Sequence, residues 1–305
     1  MNAIQQDILD QVAGIRDFPS GAFNIRLNGG SIGSASTPGI QIQRKADGSG
    51  IDIHVQPGVK GEEVHIPVVI SESGVVEQVF NDFFIGENAD VTIIAGCGIH
   101  NCGDNLSQHD GIHSFHIREN ARVKYVEKHY GAGDGTGGRI LNPVTNVFLD
   151  KGGAMEMDTV QIEGVDSTKR VTNAFIGDDA SFVVREKLMT HGEQYAETVF
   201  DVALDGAHSS TNVVSRSVAK GASKQLFLSK IKGNNKCMGH SECDAIIMDA
   251  AAVSAIPEIT ANHVDASLIH EAAIGKIAGE QIVKLMTLGL TEEEAEAQIV
   301  NGFLK

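Results

Sequence analysis

The chain carries four cysteines, in two short-range pairs: Cys97 with Cys102, and Cys237 with Cys243. A chain of this length does not need disulfides for stability, and a reducing compartment would not keep them. Cysteines so spaced read as metal ligands or reactive thiols, or else as small buried hydrophobes. The first pair lies in Gly96-Cys97-Gly98-Ile99-His100-Asn101-Cys102-Gly103, followed by His109, His113 and His116. Thiolate with imidazole is a donor set for soft and borderline metals. A structural zinc site needs four converging ligands at closer spacing, so the alternative is a loop whose histidines satisfy backbone groups. The second pair lies in Cys237-Met238-Gly239-His240-Ser241-Glu242-Cys243-Asp244. Lys236 and His240 there favour a thiolate, whereas Glu242 and Asp244 oppose it. A third group is Ile269-His270-Glu271. None of these spacings assembles a nucleophile, base and orienting acid.

The elements that must position these residues fall into three stretches. Residues 1–20 hold one helix, with Ile4, Ile8, Val12 and Ile15 at helical spacing and Pro19-Ser20-Gly21 as its stop. Residues 21–257 alternate apolar and polar side chains in short runs, such as Thr198, Phe200, Val202 and Leu204 on one face. Similar turns separate the runs: Glu87-Asn88-Ala89-Asp90, Glu119-Asn120-Ala121-Arg122, Gly152-Gly153-Ala154-Met155, Asp178-Asp179-Ala180-Ser181, Asp205-Gly206-Ala207-His208 and Lys220-Gly221-Ala222-Ser223. A recurring turn plus alanine before a strand marks a coil that stacks rung on rung, with the small alanine turned inward at the corner. A β-sandwich is the rival arrangement of the same strands. Residues 258–305 read as helical: Ile274, Ile277, Ala278, Gln281, Leu285 and Leu288 step by three or four, and Thr291-Glu292-Glu293-Glu294 is a capping box before a second helix with Ile299 and Phe303. This hairpin either caps the open end of the coil or docks a partner.

Composition narrows the function classes. The formal net charge is −16, a field that repels phosphate backbones, so nucleic acid is not an expected partner. No apolar run approaches ~18 residues, so no membrane-spanning helix is expected and cytoplasm is the default location. Aromatics are only 5% and tryptophan is absent, which argues against a sugar-stacking β-helix enzyme. The glycine-dense stretch Gly131 to Gly138 is not closed by the Lys-Ser/Thr of a phosphate-binding loop, so it reads as a loop. The chain contains no ATPase motif of its own and is expected not to be an enzyme.

Several tracts resemble the SufB/SufD family of iron–sulfur cluster assembly proteins. Gly239-His240-Ser241-Glu242-Cys243-Asp244-Ala245-Ile246-Ile247-Met248 resembles its Cys-Asp-Ser-Leu-Leu strand, and Ile256-Pro257-Glu258-Ile259 the segment after it. His270-Glu271-Ala272-Ala273-Ile274-Gly275-Lys276-Ile277 resembles its His-Glu-Ala-Thr-x-x-Lys-Ile signature. Arg216 to Gly221, Gly279-Glu280-Gln281, Leu288-Gly289-Leu290, Glu292 to Ala295 and Val300-Asn301-Gly302-Phe303 continue in register. The chain is similar to short, minimal-system members; the acidic residue that often precedes the His-Glu signature is Ile269 here.

The resemblance implies a right-handed parallel β-helix with terminal helices, in place of the sandwich. It implies a transient cluster, expected to be of 4Fe-4S type, bound through Cys243 and Glu271 as iron ligands with His270 beside them. Incomplete thiolate ligation suits a cluster that must be released, since four cysteines hold one permanently. Cys237, His240, Cys97, Cys102 and His100 remain open as sulfur-transfer or accessory residues. The implied partners are a SufC-like ABC-type ATPase docked on the C-terminal helices, a second copy or paralogue as β-helix partner, and a cysteine desulfurase or sulfide as sulfur source. The alternative within the family is a structural subunit that docks the ATPase without carrying a cluster.

Overall fold

The computed structural model describes residues 1–305, the side chain of Glu163 excepted. In chain order the elements are α1 (Ala3–Ala13), β1 (Ala22–Leu27), β2 (Gly30–Ala35), β3 (Ile40–Arg44), β4 (Gly50–Val55), β5 (Lys60–Ile70), β6 (Val76–Ile85), β7 (Asp90–His100), β8 (Ser107–Ile117), β9 (Arg122–Ala132), β10 (Arg139–Leu141), β11 (Val144–Leu149), β12 (Ala154–Glu163), β13 (Ser167–Ile176), β14 (Ser181–Thr190), β15 (Tyr195–Leu204), β16 (Ser210–Ala219), β17 (Lys224–Gly233), β18 (Met238–Ile247), β19 (Ala252–Ala261), β20 (Ser267–Gly275), α2 (Gly279–Met286) and α3 (Glu292–Phe303). From β5 onward the chain crosses alternately between two sheets. One runs β2-β1-β5-β7-β9-β12-β14-β16-β18-β20, and the other β19-β17-β15-β13-β10-β8-β6-β4-β3, with β11 continuing the β10 rung between β13 and β8. All pairs are parallel except the hairpins β1–β2 and β3–β4. The result is a β-solenoid of about eight turns.

Period-two alternation puts every second side chain inside the coil. Phe83 stacks on Phe115 at 4.2 Å, and Tyr125 packs edge-on to Phe115 at 5.0 Å, so aromatic ladders fill the early rungs. The corners follow the anticipated logic, with one refinement. Asn88, Asn120 and Asp179 adopt positive φ of 56°, 57° and 55°, and the alanine after each is buried. Asn and Asp tolerate that conformation where β-branched residues do not. At the third, fifth and sixth corners, Gly152, His208 and Gly221 take the positive φ, and Gly153, Ser209 and Ser223 turn inward instead of Ala154, Ala207 and Ala222. The left-handed residue, not the alanine, sets the corner.

Helix α1 opens on a capping box between Asn2 and Gln5 and lies on the outer face of the first sheet. It buries Ile8, Leu9 and Val12 there, whereas Ile4 stays exposed. Gly96 and Gly98 make that approach possible: a Cβ at Gly98 would stand 2.1 Å from Cγ2 of Ile8, and one at Gly96 2.4 Å from the Val12 carbonyl.

In the C-terminal region one expectation is corrected and one of two open alternatives is excluded. Strands continue past Pro257 to Gly275, and Ile274 belongs to β20, in register with Ala245, not to a helix. Stacking on the rung below overrides a three-to-four spacing that a short apolar run carries equally well. The helical hairpin also does not cap the coil. Val300 and Phe303 of α3, with Leu304 just after it, pack back against Val218, Ile246 and Met248 on the outside of the first sheet. The last rung, β19 and β20, is left bare, with Ile256, Ile259 and Ile269 exposed. Val283, Met286 and Leu288 in and after α2 are exposed too.

Candidate iron-handling site on the last two rungs

Strand β18 carries Cys243 and pairs in parallel with the edge strand β20, which carries His270 and Glu271. Register places Glu242 beside Glu271, Ser241 beside His270 and Cys243 beside Ala272. Because neighbouring side chains point to opposite faces, two groups form. His240, Glu242 and Glu271 stand outside, each offering a ligand atom within 4.8 Å of the others. Cys243 and His270 face inward. The structure therefore brings Glu271 to His240 and not to Cys243.

The Cys243 thiol is 1% exposed, between Ser215 and Ala272 on adjacent strands. Burial, then the charges of Glu186 and Asp244, push its pKa up to about 12, so it is a neutral thiol at physiological pH. His270 is half-buried and its Nδ1 has no hydrogen-bond partner. Burial and the proximity of His240 lower its pKa. On the outer face, the Nδ1–H of His240 donates to Asn212 Oδ1 at 2.8 Å, which leaves Nε2 facing Glu271 Oε2 at 3.9 Å. Burial and the neighbouring Asp244 carboxylate raise the pKa of Glu242. Cys237 is buried at the corner before β18, and burial raises its pKa.

The other cysteine pair is split by the structure. Cys102 is exposed at a corner, its Sγ 3.0 Å from His100 Nε2. Cys97 is inside the coil, where His109 and His129 hydrogen-bond to it. Burial alone would raise this thiol, but the charge of His109 and the two hydrogen bonds bring it down to about 7. Burial would lower His109; the Cys97 thiolate and Glu77 instead raise it to about 10. Glu77 Oε1 is 3.0 Å from His109 Nδ1, and Arg26 binds the other carboxylate oxygen at 2.6 Å.

Sequence reasoning missed a polar row on the inner face of the first sheet that ends at Cys243. Glu127, Thr159, Glu186, Ser215 and Cys243 are register neighbours on successive inner rungs of the first sheet. Arg170, from the second sheet, ion-pairs with Glu127 and lies 3.7 Å from Glu186. Thr198 and Ser215 donate to the two oxygens of Glu186 at 2.9 and 2.7 Å. The inward parity of Glu127 and Glu186 in their strands was the available signal.

Comparison with known proteins adds the family. The profile described as SUF system FeS cluster assembly, SufBD core domain, matches residues 70–303. An iron–sulfur cluster assembly SufBD family protein of Archaeoglobus fulgidus is 27% identical over 270 residues, covering 87% of this chain and 71% of that protein. One of Methanothermobacter thermautotrophicus is 29% identical over 272 residues, 86% of this chain and 64% of its own length. One of Pyrococcus horikoshii is 27% identical over 278 residues, 90% and 83% respectively. Among the described residues no helix is long and apolar enough to cross a membrane. With its stacked rungs, its terminal helices and its profile match across most of the length, the chain belongs to the SufBD family of iron–sulfur cluster assembly proteins.

Proposed function

We propose that this chain is a scaffold on which nascent iron–sulfur clusters are built and handed on, acting as a pair of β-solenoids driven by an ABC-type ATPase. One observation carries the reading: the rung pair β18–β20, beside the bare end of the coil, concentrates Cys243, His240, Glu242, His270 and Glu271 on two adjacent strands. Cys243 is the thiolate ligand, with Glu271 and His270 completing an exchangeable set when a second solenoid closes on the last rung. A thiol that ligates iron must lose its proton, and Cys243 holds that proton tightly while buried. Only the edge strand β20 separates it from the open end, so displacement of β20 frees the thiol. The exposed apolar residues Val283, Met286 and Leu288 supply a surface for the ATPase, whose cycle drives that displacement. Sulfur comes from a desulfurase or from sulfide.

Anaerobic reconstitution of the ATPase complex with iron and sulfide is expected to give a coloured protein, and Cys243→Ala to lose most of that absorbance and iron. Unchanged iron in the variant removes Cys243 from the site. Labelling of Cys243 in the complex should increase on ATP addition; equal labelling with and without ATP sinks the coupling. The deep burial of Cys243 also favours a second reading, a structural subunit that docks the ATPase and holds no cluster. Iron and sulfide analysis of the co-purified complex separates the two.

A further inference from the structure

The thiol and the carboxylate implicated by the family tracts lie on opposite faces of the sheet, and the outer face has a donor set of its own. His240 and Glu242 project from β18 and Glu271 from β20, with their ligand atoms mutually within 4.8 Å. Metal–ligand bonds of about 2.0–2.2 Å put neighbouring donors about 3 Å apart, so closure takes only small rotations of the two glutamates. Glu271 is 67% exposed and free to rotate. His240 is already aimed: its Nδ1–H is held by Asn212, so Nε2 is the free nitrogen, the arrangement by which an outer hydrogen bond orients a metal-binding imidazole. A groove of about 330 Å³ runs alongside His240, walled by Val183, Met238 and Ile269, and gives an ion or a delivering group access.

We propose that His240, Glu242 and Glu271 form a thiol-free site for a divalent cation of the iron(II) class, where metal is received before it meets sulfur. One imidazole and two carboxylates suit manganese(II), iron(II) and cobalt(II), and two anionic carboxylates balance a dication. The remaining coordination positions face solvent and stay available to water or to an incoming sulfur ligand. Cys243 cannot join this set while β18 keeps its alternation, because its side chain points into the coil. The purpose of the site rests on the scaffold reading above; the binding of a cation does not.

The test is titration of the metal-free full-length chain with cobalt(II), followed by calorimetry and visible absorption. One cobalt(II) per chain is expected, with no thiolate-to-cobalt charge-transfer band. Glu271→Gln, an exposed and isosteric change, should weaken binding at least tenfold, as should His240→Ala. Asn212→Leu should weaken it by about tenfold through the loss of imidazole orientation. Cys243→Ser, and Asp265→Asn as an exposed control, should leave it unchanged. Equal affinity in wild type, Glu271→Gln and His240→Ala overturns the site, and so does a charge-transfer band that vanishes in Cys243→Ser. If cobalt(II) behaves as expected while the reconstituted ATPase complex holds neither iron nor sulfide as a cluster, the scaffold reading fails and the cation site stands. If the cluster depends on Cys243 but cobalt(II) ignores Glu271, the reverse holds.

Discussion

Cys97 and Cys243, two of the three buried thiols, differ in what surrounds them, and this difference is testable by pH. Folding lowers Cys97 from its ordinary 9.0 to about 7. Its thiolate thus stabilises the fold fully above 9.0, and that contribution fades as pH falls through about 7. His109 moves oppositely, from 6.5 to about 10, so its contribution is complete below 6.5 and fades as pH rises through about 10. The thiolate–imidazolium pair is therefore populated between about pH 7 and 10. The ultraviolet thiolate signal should titrate near 7 in the wild type and move upward in His109→Gln; an unmoved midpoint contradicts the pair. Arg170 makes a second residue-scale prediction. Burial would lower its pKa, but Glu127 and Glu186 raise it, and its removal strands two buried carboxylates. Arg170→Met should cost about 3–5 kcal/mol in denaturant melting, partly recovered by Glu127→Gln. A loss within 1 kcal/mol, roughly what an exposed pair is worth, would mean that the interior is wet.

At the scale of elements, the first helix depends on two positions without side chains. Gly98→Val should drive the branched side chain into Ile8, lifting α1 from the sheet at about 1–3 kcal/mol. Equal stability of the variant would place the helix elsewhere. Much of this level was legible beforehand. The period-two runs and turn corners gave the strands, the family resemblance chose the stacked coil over the sandwich, and the capping box at Thr291 marks the start of α3, where the structure has it. Three things were not read. The end of the strands was missed because Ile274 to Leu288 fits helical spacing until β18 supplies a partner for β20. The interior charges were missed because Glu127, Arg170 and Glu186 are types that patterning assigns to solvent. The orientation of Cys243 was available, since His240, Glu242 and Asp244 occupy one parity while Gly239, Ser241, Cys243 and Ala245 occupy the other. The family tract named candidate ligands but not the face each one occupies, and parity supplies that face.

For the whole molecule, the two ends of the coil are chemically unlike. The first rungs finish in antiparallel hairpins, β1–β2 and β3–β4, whereas β19 and β20 end the stack with unpaired edges and exposed isoleucines. An uncovered edge of this kind is a template for another chain. The pairing proposed above should therefore use that end, and Ile256→Lys combined with Val264→Lys should shift the mass in solution from dimer to monomer while leaving the melting curve of the chain in place. A dimer that survives both changes uses another face. At the opposite end the outermost strands, β2 and β3, run antiparallel to their neighbours, so the parallel run of the coil stops there. If two copies pair through their β19–β20 ends about a twofold axis, the contact is isologous and complete at two, and each copy covers the bare strands of the other.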